Sequence, residues 1–249
     1  MCLIVVGWRV HPDYPLVVAA NRDEFHARPT ARADFWADAP DVIAGRDLEA
    51  GGTWLGITRS GRFAAVTNVR ESGAGKGHYS RGRLTQAFLV GQQGAADYLA
   101  RIEMGEYAGF NLLVGDGDSL WYCSNRRAKP LELAPGVYGL SNHLLDSPWP
   151  KLLTARQGFG RAMTSLPDRE PLFGILADDE IVPDTELPDT GISLDWERRL
   201  SAIFVRSEGY GTRASTVVVQ AADGGISFEE RSFGPGGKPL QSSVISTGV

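Results

Sequence analysis

The second residue of the chain is a cysteine, and this position could give it unusual chemistry. A small residue in second place generally permits removal of the initiator methionine, which would leave Cys2 with a thiol and a free amine. An unperturbed thiol titrates at about pH 8.5 and an α-amine at about 7.7–8.0, so near neutral pH the amine can accept the thiol proton. Cys2 is therefore a candidate nucleophile that carries its own base. The alternative is a small buried apolar residue at the start of a strand.

A polar tetrapeptide, NRDE at residues 21–24, follows directly on a buried strand predicted over residues 16–20. Because that strand pairs with the first strand through a short hairpin, we expect its end to lie near Cys2. A guanidinium at Arg22 would favour the thiolate, and a carboxylate at Asp23 would orient an ammonium. The alternative is an ion pair at a strand end in a solvated turn.

The elements that must position these residues favour stacked antiparallel sheets. Hydrophobic runs predict strands at residues 1–8, 16–20, 53–58, 63–69, 111–114, 120–123, 137–141, 215–219 and 226–231. Helices are predicted at residues 81–90, 95–104, 150–166, 171–177 and 196–202, and a loop at the glycine-rich residues 71–80. Strands do not alternate singly with helices, as they would in a parallel sheet. We therefore expect an α+β protein, a four-layer αββα sandwich of two mainly antiparallel sheets, with residues 1–249 forming a single domain.

Composition excludes several classes of protein. The chain has 249 residues and a formal net charge of −5, so no overall basic character predicts nucleic-acid binding. The longest apolar run near the start, residues 3–6, is too short for a signal peptide or a membrane span. Two cysteines are too few for a disulfide framework or a four-cysteine zinc site, so we expect no metal and a cytoplasmic location.

Short blocks along nearly the whole chain carry a resemblance to a known family. They are MCLI (1–4), ANRDE (20–24), RP (28–29), GRD (45–47), GGTWLG (51–56), TNVR (67–70), SRG (80–82), GFNLL (109–113), GLSN (139–142), PWPK (148–151) and YGTR (210–213). In these blocks and their order the chain resembles the NRDE family, named for its Asn-Arg-Asp-Glu tetrapeptide, which includes the transport and Golgi organisation 2 proteins.

The resemblance implies an N-terminal-nucleophile hydrolase-like fold, distantly similar to penicillin V acylases and bile-salt hydrolases. By that analogy Cys2 corresponds to the nucleophile and Arg22 to its supporting arginine. One departure is visible in the sequence, because the acylases place their supporting aspartate three residues after the arginine. Here Asp23 is adjacent to Arg22, and Phe25 occupies the third position.

Further side chains are candidates for binding a substrate. By the same resemblance Asn68 and Asn142 would bind substrate or an oxyanion, and Asn142 is the better oxyanion candidate because it follows a predicted strand. Its alternative is a helix or turn cap. Arg213 could bind a carboxylate or phosphate, or form a salt bridge where its strand begins. Trp54 and Trp149 flank the polar blocks and could line an apolar pocket, or belong to the core.

Two functions remain open at this point. One is a cysteine hydrolase or acyltransferase that attacks a non-peptide amide or thioester through Cys2, with Asn142 stabilising the oxyanion of the reaction. The other is a non-enzymatic protein that binds and carries haem, acyl-CoA or another lipid, since members of the resembled family are associated with haem trafficking and acyl-CoA handling. The enzyme would need no cofactor, and in both cases the partner is a small molecule.

Overall fold

The computed structural model describes residues 2–71, 73, 75 and 77–248. Met1, whose removal the nucleophile hypothesis requires, lies outside the described residues. So do Ser72, Ala74 and Lys76 of the glycine-rich stretch for which a loop is expected.

The described strands form two sheets in which every printed pairing is antiparallel. The strands are β1 (Cys2–Trp8), β2 (Leu16–Phe25), β3 (Thr30–Trp36), β4 (Ala39–Asp47), β5 (Leu55–Thr58), β6 (Phe63–Asn68), β7 (Phe110–Gly115), β8 (Leu120–Ser124), β9 (Leu131–Glu132), β10 (Gly136–Leu140), β11 (Tyr210–Gln220), β12 (Ile226–Phe233) and β13 (Pro239–Thr247). One sheet has the order β10-β1-β2-β11-β12-β13, and the other runs from β3 to β9 in sequence order.

Helices cover the outer face of each sheet. They are α1 (Gly82–Val90), α2 (Ala95–Ala100), α3 (Pro150–Ala162), α4 (Glu170–Leu176) and α5 (Leu194–Arg199). Helices α3 and α4 contact the six-stranded sheet, whereas α1 and α2 contact the seven-stranded one. No helix among the described residues is long and apolar enough to cross a membrane.

Three apolar clusters separate these layers. Ile4 and Ala20 of the six-stranded sheet pack with Ile43 of the other sheet in the cluster between them. On the opposite face of the first hairpin, Leu3 packs with Phe159 of α3. A third cluster joins the seven-stranded sheet to α1 and α2. Because side chains of a strand alternate between its two faces, the continuous apolar run of β1 supplies two of these clusters at once. The predicted four-layer α+β architecture is confirmed.

The structure corrects the expected extent of several elements. Strand β2 does not end at Ala20 but continues to Phe25, so the whole polar tetrapeptide is strand. The reason is β11, in which ten of eleven residues pair with β2 along its full length and Arg213 is bulged out of the pairing. Strands β3, β4, β9 and β13 were not predicted. The helix expected over residues 95–104 ends at Ala100, and the helix expected to reach residue 166 ends at Ala162.

Candidate functional site

The first hairpin places Cys2 directly opposite Arg22. Seven residue pairs join β1 and β2 without a register shift, from Cys2 with Arg22 to Trp8 with Leu16. Directly opposed residues of antiparallel strands have their side chains on the same face of the sheet. The thiol and the guanidinium therefore share the face that Ile4 turns towards the second sheet.

A cavity of about 580 Å³ lies at this end of the two sheets. Of the predicted site residues, its lining contains Cys2, Arg22, Asp23, Asn68, Trp54 and Arg213. The charged lining residues are six arginines (22, 28, 32, 46, 81 and 213) and four acids (Asp23, Glu24, Asp47 and Glu230). Positive charge is thus in excess on the cavity wall, although the chain as a whole is acidic, and this favours an anionic ligand.

The thiol of Cys2 is nearly inaccessible and needs a base to react. The residue is 9% exposed, and burial raises the pKa of its thiol. The Asp23 carboxylate raises this pKa further, while the Arg22 guanidinium lowers it. The carbonyl oxygen of Cys2 accepts a hydrogen bond of 3.0 Å from Ser141 Oγ, which fixes the strand end on its other side. A rigid, protonated thiol is therefore held at the cavity wall.

Arg22 has a donor to spare beside this thiol. Its side chain is 9% exposed, and its Nη2 lies 3.7 Å from Glu24 Oε2. Its Nη1 is buried and has no hydrogen-bond partner among the described residues. A buried guanidinium nitrogen without a partner is costly, so it is expected to have a binding partner in the working protein. The thiolate or a substrate oxygen would supply it.

Asp23 lies on the other face of β2, because consecutive residues of a strand point in opposite directions. Its Oδ1 accepts a hydrogen bond of 2.7 Å from Thr212 Oγ1, and its carbonyl accepts one of 3.1 Å from the Tyr210 hydroxyl. Burial raises the pKa of Asp23, and the cations of Lys151 and Arg70 oppose that rise. The side chains of Arg22 and Asp23 therefore lie on opposite faces of β2.

The two candidate asparagines are joined to each other. Asn142 is completely buried, and its Nδ2 donates to the Asn68 carbonyl over 2.9 Å. Its Oδ1 accepts from Ser141 Oγ at 3.3 Å, the same hydroxyl that contacts the Cys2 carbonyl. Asn68 lines the cavity, whereas Asn142 is not in its lining. The oxyanion role of Asn142 stays a prediction, and the bonds seen here hold three strand ends together.

Of the two remaining candidates, Arg213 lies at the cavity and Trp149 does not. Arg213 lines the cavity, and its Nη1 donates to the carbonyls of Phe25, His26 and Arg28 at 3.0, 3.2 and 2.9 Å. It thereby holds the turn after β2 through carbonyl contacts. Trp149 is not brought to the cavity. It packs at the edge of the helix-side core, with the Arg70 guanidinium 4.8 Å from its ring centroid.

Residues 1–235 match the family model described as Transport and Golgi organisation 2. The chain belongs to this family. It is 38% identical over 261 residues to the Transport and Golgi organization protein 2 homolog of Bos taurus, a match that covers 94% of this chain and 93% of the relative. The Homo sapiens homolog is 37% identical over 258 residues, with the same coverage of both chains.

A solved structure confirms the fold of the chain. The chain is similar to the Caenorhabditis elegans ortholog of N-acylethanolamine-hydrolyzing acid amidase, with a TM-score of 0.56. The two chains are 14% identical, and the match covers 88% of this chain and 92% of the other. At this identity the similarity is one of fold, and it confirms the expected N-terminal-nucleophile hydrolase-like architecture.

Three charged residues at this candidate site were missed in the sequence. Arg81 lines the cavity, and burial lowers the pKa of its guanidinium. Glu230 also lines it, accepts a hydrogen bond of 2.8 Å from the Ala33 amide, and has its pKa raised by burial. Lys151 is buried, its Nζ donates to the Leu200 carbonyl over 2.8 Å, and its charge lowers the pKa of Asp23. Arg81 and Lys151 stand in the SRG and PWPK blocks, which was an available signal, whereas nothing marked Glu230.

Proposed function

We propose that this protein is an N-terminal-cysteine hydrolase or acyltransferase that acts on a non-peptide amide or thioester. The observation that carries the proposal is the placement of Cys2 on a cavity wall, directly opposite a buried arginine whose Nη1 has no hydrogen-bond partner among the described residues. The architecture shared with the Caenorhabditis elegans ortholog of N-acylethanolamine-hydrolyzing acid amidase adds support for amide chemistry. The proposal requires that Met1 is removed.

The proposed reaction proceeds through an acyl-cysteine. The amine of Cys2 takes the thiol proton, and the sulfur forms a bond to the substrate carbonyl carbon as the carbonyl electron pair moves to oxygen. Collapse of this oxyanion breaks the bond to the amine or thiol leaving group, which receives the proton from the Cys2 ammonium. Water or another acceptor then takes the acyl group. Asn68, which lines the cavity, is the proposed amide donor to the oxyanion, and Asn142 would position it through the hydrogen bond to the Asn68 carbonyl.

The charge of the cavity indicates which substrates to test. Six lining arginines against four acids favour an acyl compound that bears a carboxylate, phosphate or sulfonate group. Arg213 and Trp54 would contact the part of the substrate remote from the thiol, since both line the same cavity.

Intact-mass analysis tests the enzyme proposal directly. The purified protein is incubated with paired amide and thioester acyl compounds that differ only by an anionic group. We expect a wild-type mass without Met1, an acyl adduct on the wild type, and none on Cys2→Ala. That variant should keep its fold, because exchanging a thiol for hydrogen removes little packing. Retention of Met1, or no adduct and no turnover by Met1-free protein across both series, would contradict the proposal.

A second candidate, binding and transport of haem or acyl-CoA, is favoured by the same excess of arginines, because both ligands are anionic. Under this function Cys2→Ala leaves ligand affinity intact, unless the thiolate itself ligates iron. Equilibrium titration of the wild type and Cys2→Ala with both ligands, beside a thioester hydrolysis assay, separates the two candidates. Tight binding by both proteins without turnover by either would favour the carrier.

A further inference from the structure

The floor of the cavity is a row of residues that crosses the six-stranded sheet. Cys2 of β1 lies opposite Arg22 of β2, which in turn lies opposite Ala214 of β11. Ala214 lies opposite Ser232 of β12. Directly opposed side chains share one face of a sheet, and all four of these residues line the cavity. The cavity therefore extends across the sheet, from the thiol towards the edge formed by β13.

This row indicates the length of ligand that the cavity can hold. Neighbouring strands lie about 4.8 Å apart, so Ser232 is roughly 14 Å from Cys2 across three strand spacings. Strand β13 follows β12 in the sheet and lies one spacing further, about 19 Å from β1. An extended dodecanoyl chain with its carbonyl at the thiol would reach β12 and the side chains of β13, whereas an octanoyl chain would end before β12.

The far end of the cavity is lined by two large apolar side chains, Phe233 at the end of β12 and Leu240 at the start of β13. The ring of Phe233 packs edge-on against Phe204, with ring centroids 4.9 Å apart, which fixes its position. Leu240 is 59% exposed although it lines the cavity. A large apolar side chain that is left exposed on a cavity wall gains free energy from contact with an apolar part of a ligand.

A side-chain hydrogen bond joins this end of the cavity to the other sheet. Arg32 of β3 donates from its Nη1 to Gln241 Oε1 over 3.0 Å, and both residues line the cavity. Strands β3 and β13 are edge strands of their sheets, and they contact each other here. The bond holds the start of β13 against the second sheet and so keeps Leu240 beside the cavity.

We propose that Leu240 is a specificity-determining residue that contacts the end of a long acyl chain, so that the start of β13 selects acyl compounds by chain length. This inference deepens the proposed function and rests on it for the direction of the ligand, whose carbonyl lies at the thiol. The family model matches residues 1–235, whereas β13 begins at Pro239. Cys2 and the proposed chain-length determinant thus belong to different parts of the chain, and only the first lies within the family match.

Equilibrium binding of two N-acylglycines that differ only in chain length tests this assignment. N-dodecanoylglycine and N-octanoylglycine are acyl amides with the same carboxylate. Each is titrated calorimetrically, below the concentration at which it forms micelles, into the whole chain carrying Cys2→Ala, so that no bond is cleaved. We expect the further substitution Leu240→Ala to weaken binding of N-dodecanoylglycine by about five- to tenfold, because an apolar contact is lost. Binding of N-octanoylglycine, which is weaker from the start, should not change.

Val244→Ala is the matched control, because Val244 lies on the same strand, is 60% exposed and is not part of the cavity lining. It should leave both affinities unchanged. Leu240→Gln keeps the length of the side chain but not its apolar character, and it replaces Leu240→Ala if that variant does not fold.

Equal losses for the two N-acylglycines, or equal losses in Leu240→Ala and Val244→Ala, would overturn the inference. So would an unchanged affinity of Leu240→Ala for N-dodecanoylglycine, or no binding of this compound at all. The proposed function is judged separately, by the acyl adduct and turnover of Met1-free wild type. If the wild type binds N-dodecanoylglycine without cleaving any acyl compound, the hydrolase proposal fails, while the comparison of the two variants still decides the role of Leu240.

Discussion

Replacing Arg22 by methionine should raise the pKa of the Cys2 thiol. The variant removes the guanidinium that faces the thiol across the first hairpin and keeps an unbranched side chain of similar reach. In the wild type the charge of Arg22 lowers this pKa against the larger effect of burial. Without the guanidinium, burial and the Asp23 carboxylate still raise the thiol pKa, and Arg22 no longer lowers it.

The register of the hairpin sets the size of the effect. Directly opposed side chains have β-carbons about 5 Å apart, so the two charges lie roughly 6 Å apart. At an effective dielectric constant of about 20 this corresponds to roughly 3 kcal/mol, or about two pH units. Glu24, 3.7 Å from Arg22 Nη2, offsets part of this attraction. We therefore expect the thiol pKa to rise by about one to two units, with a roughly 10- to 100-fold loss of thiolate at a fixed pH below it.

The rate of Cys2 alkylation by iodoacetamide as a function of pH measures this pKa. Peptide mapping separates Cys2 from Cys123, which is 1% exposed. Arg22→Lys is the matched control, because it keeps the charge but loses the planar fork. It should leave the alkylation profile near that of the wild type while lowering turnover. Coincident profiles for the wild type and Arg22→Met would refute the assigned electrostatic role of Arg22.

Three further predictions concern stability, each measured by urea unfolding. Gly52→Ala would place a β-carbon 2.5 Å from a backbone carbon at the start of α1 and should cost about 1–3 kcal/mol, whereas Gly174→Ala in α4, with nothing within 4 Å, should not destabilise. Ser141→Ala removes the hydrogen bond to the Cys2 carbonyl and should cost about 1–3 kcal/mol; an unchanged midpoint would show that the bond is dispensable. The pKa of Lys151 is about 8 in the folded protein. An unfolded lysine titrates at about 10.4, so between these two pKa values the unfolded chain binds more protons than the folded one. The free energy of unfolding of the wild type should therefore rise with pH in this range, by about 3 kcal/mol more than that of Lys151→Met. Parallel pH profiles of the two proteins would contradict this.

The central hairpin and the layer order were predictable because a strand that is buried on both faces has a continuous apolar run in its sequence. The run of β1 is apolar at nearly every position, and so is the first half of β2. Strand β13 leaves no such mark, since it begins with proline and none of its residues is fully buried. Strand β3 is also an edge strand, with only Ala33 and Trp36 buried. Edge strands of this kind are recognised only when their neighbours are known.

The site was predictable as far as local chemistry allowed. The hairpin argument brought Arg22 and Asp23 to Cys2, but it ended the strand before the tetrapeptide. Asparagine and aspartate are uncommon in strands, so the residue types gave no sign that the strand continues. Beyond the end of β1, the long partner β11, far away in sequence, keeps Asp23 and Glu24 in the sheet. Glu230 reaches the cavity through the same long-range pairing, since β12 pairs with β11. Neither contact could be predicted from the neighbouring sequence.

Arg22 and Asp23 are consecutive on β2 and therefore lie on opposite faces of the sheet. The register between β1 and β2 thus decides whether a positive or a negative side chain lies beside the Cys2 thiol. A slip of one residue between β1 and β2 would bring a carboxylate to the thiol and turn the guanidinium towards the helical layer. The positive and negative side chains of β2 would exchange faces, although no residue type had changed. The apolar pairs from Ile4 to Trp8 prevent this, because the same slip would also exchange the buried faces of the hairpin. The hydrophobic core of this protein thereby also determines the polarity of its candidate site.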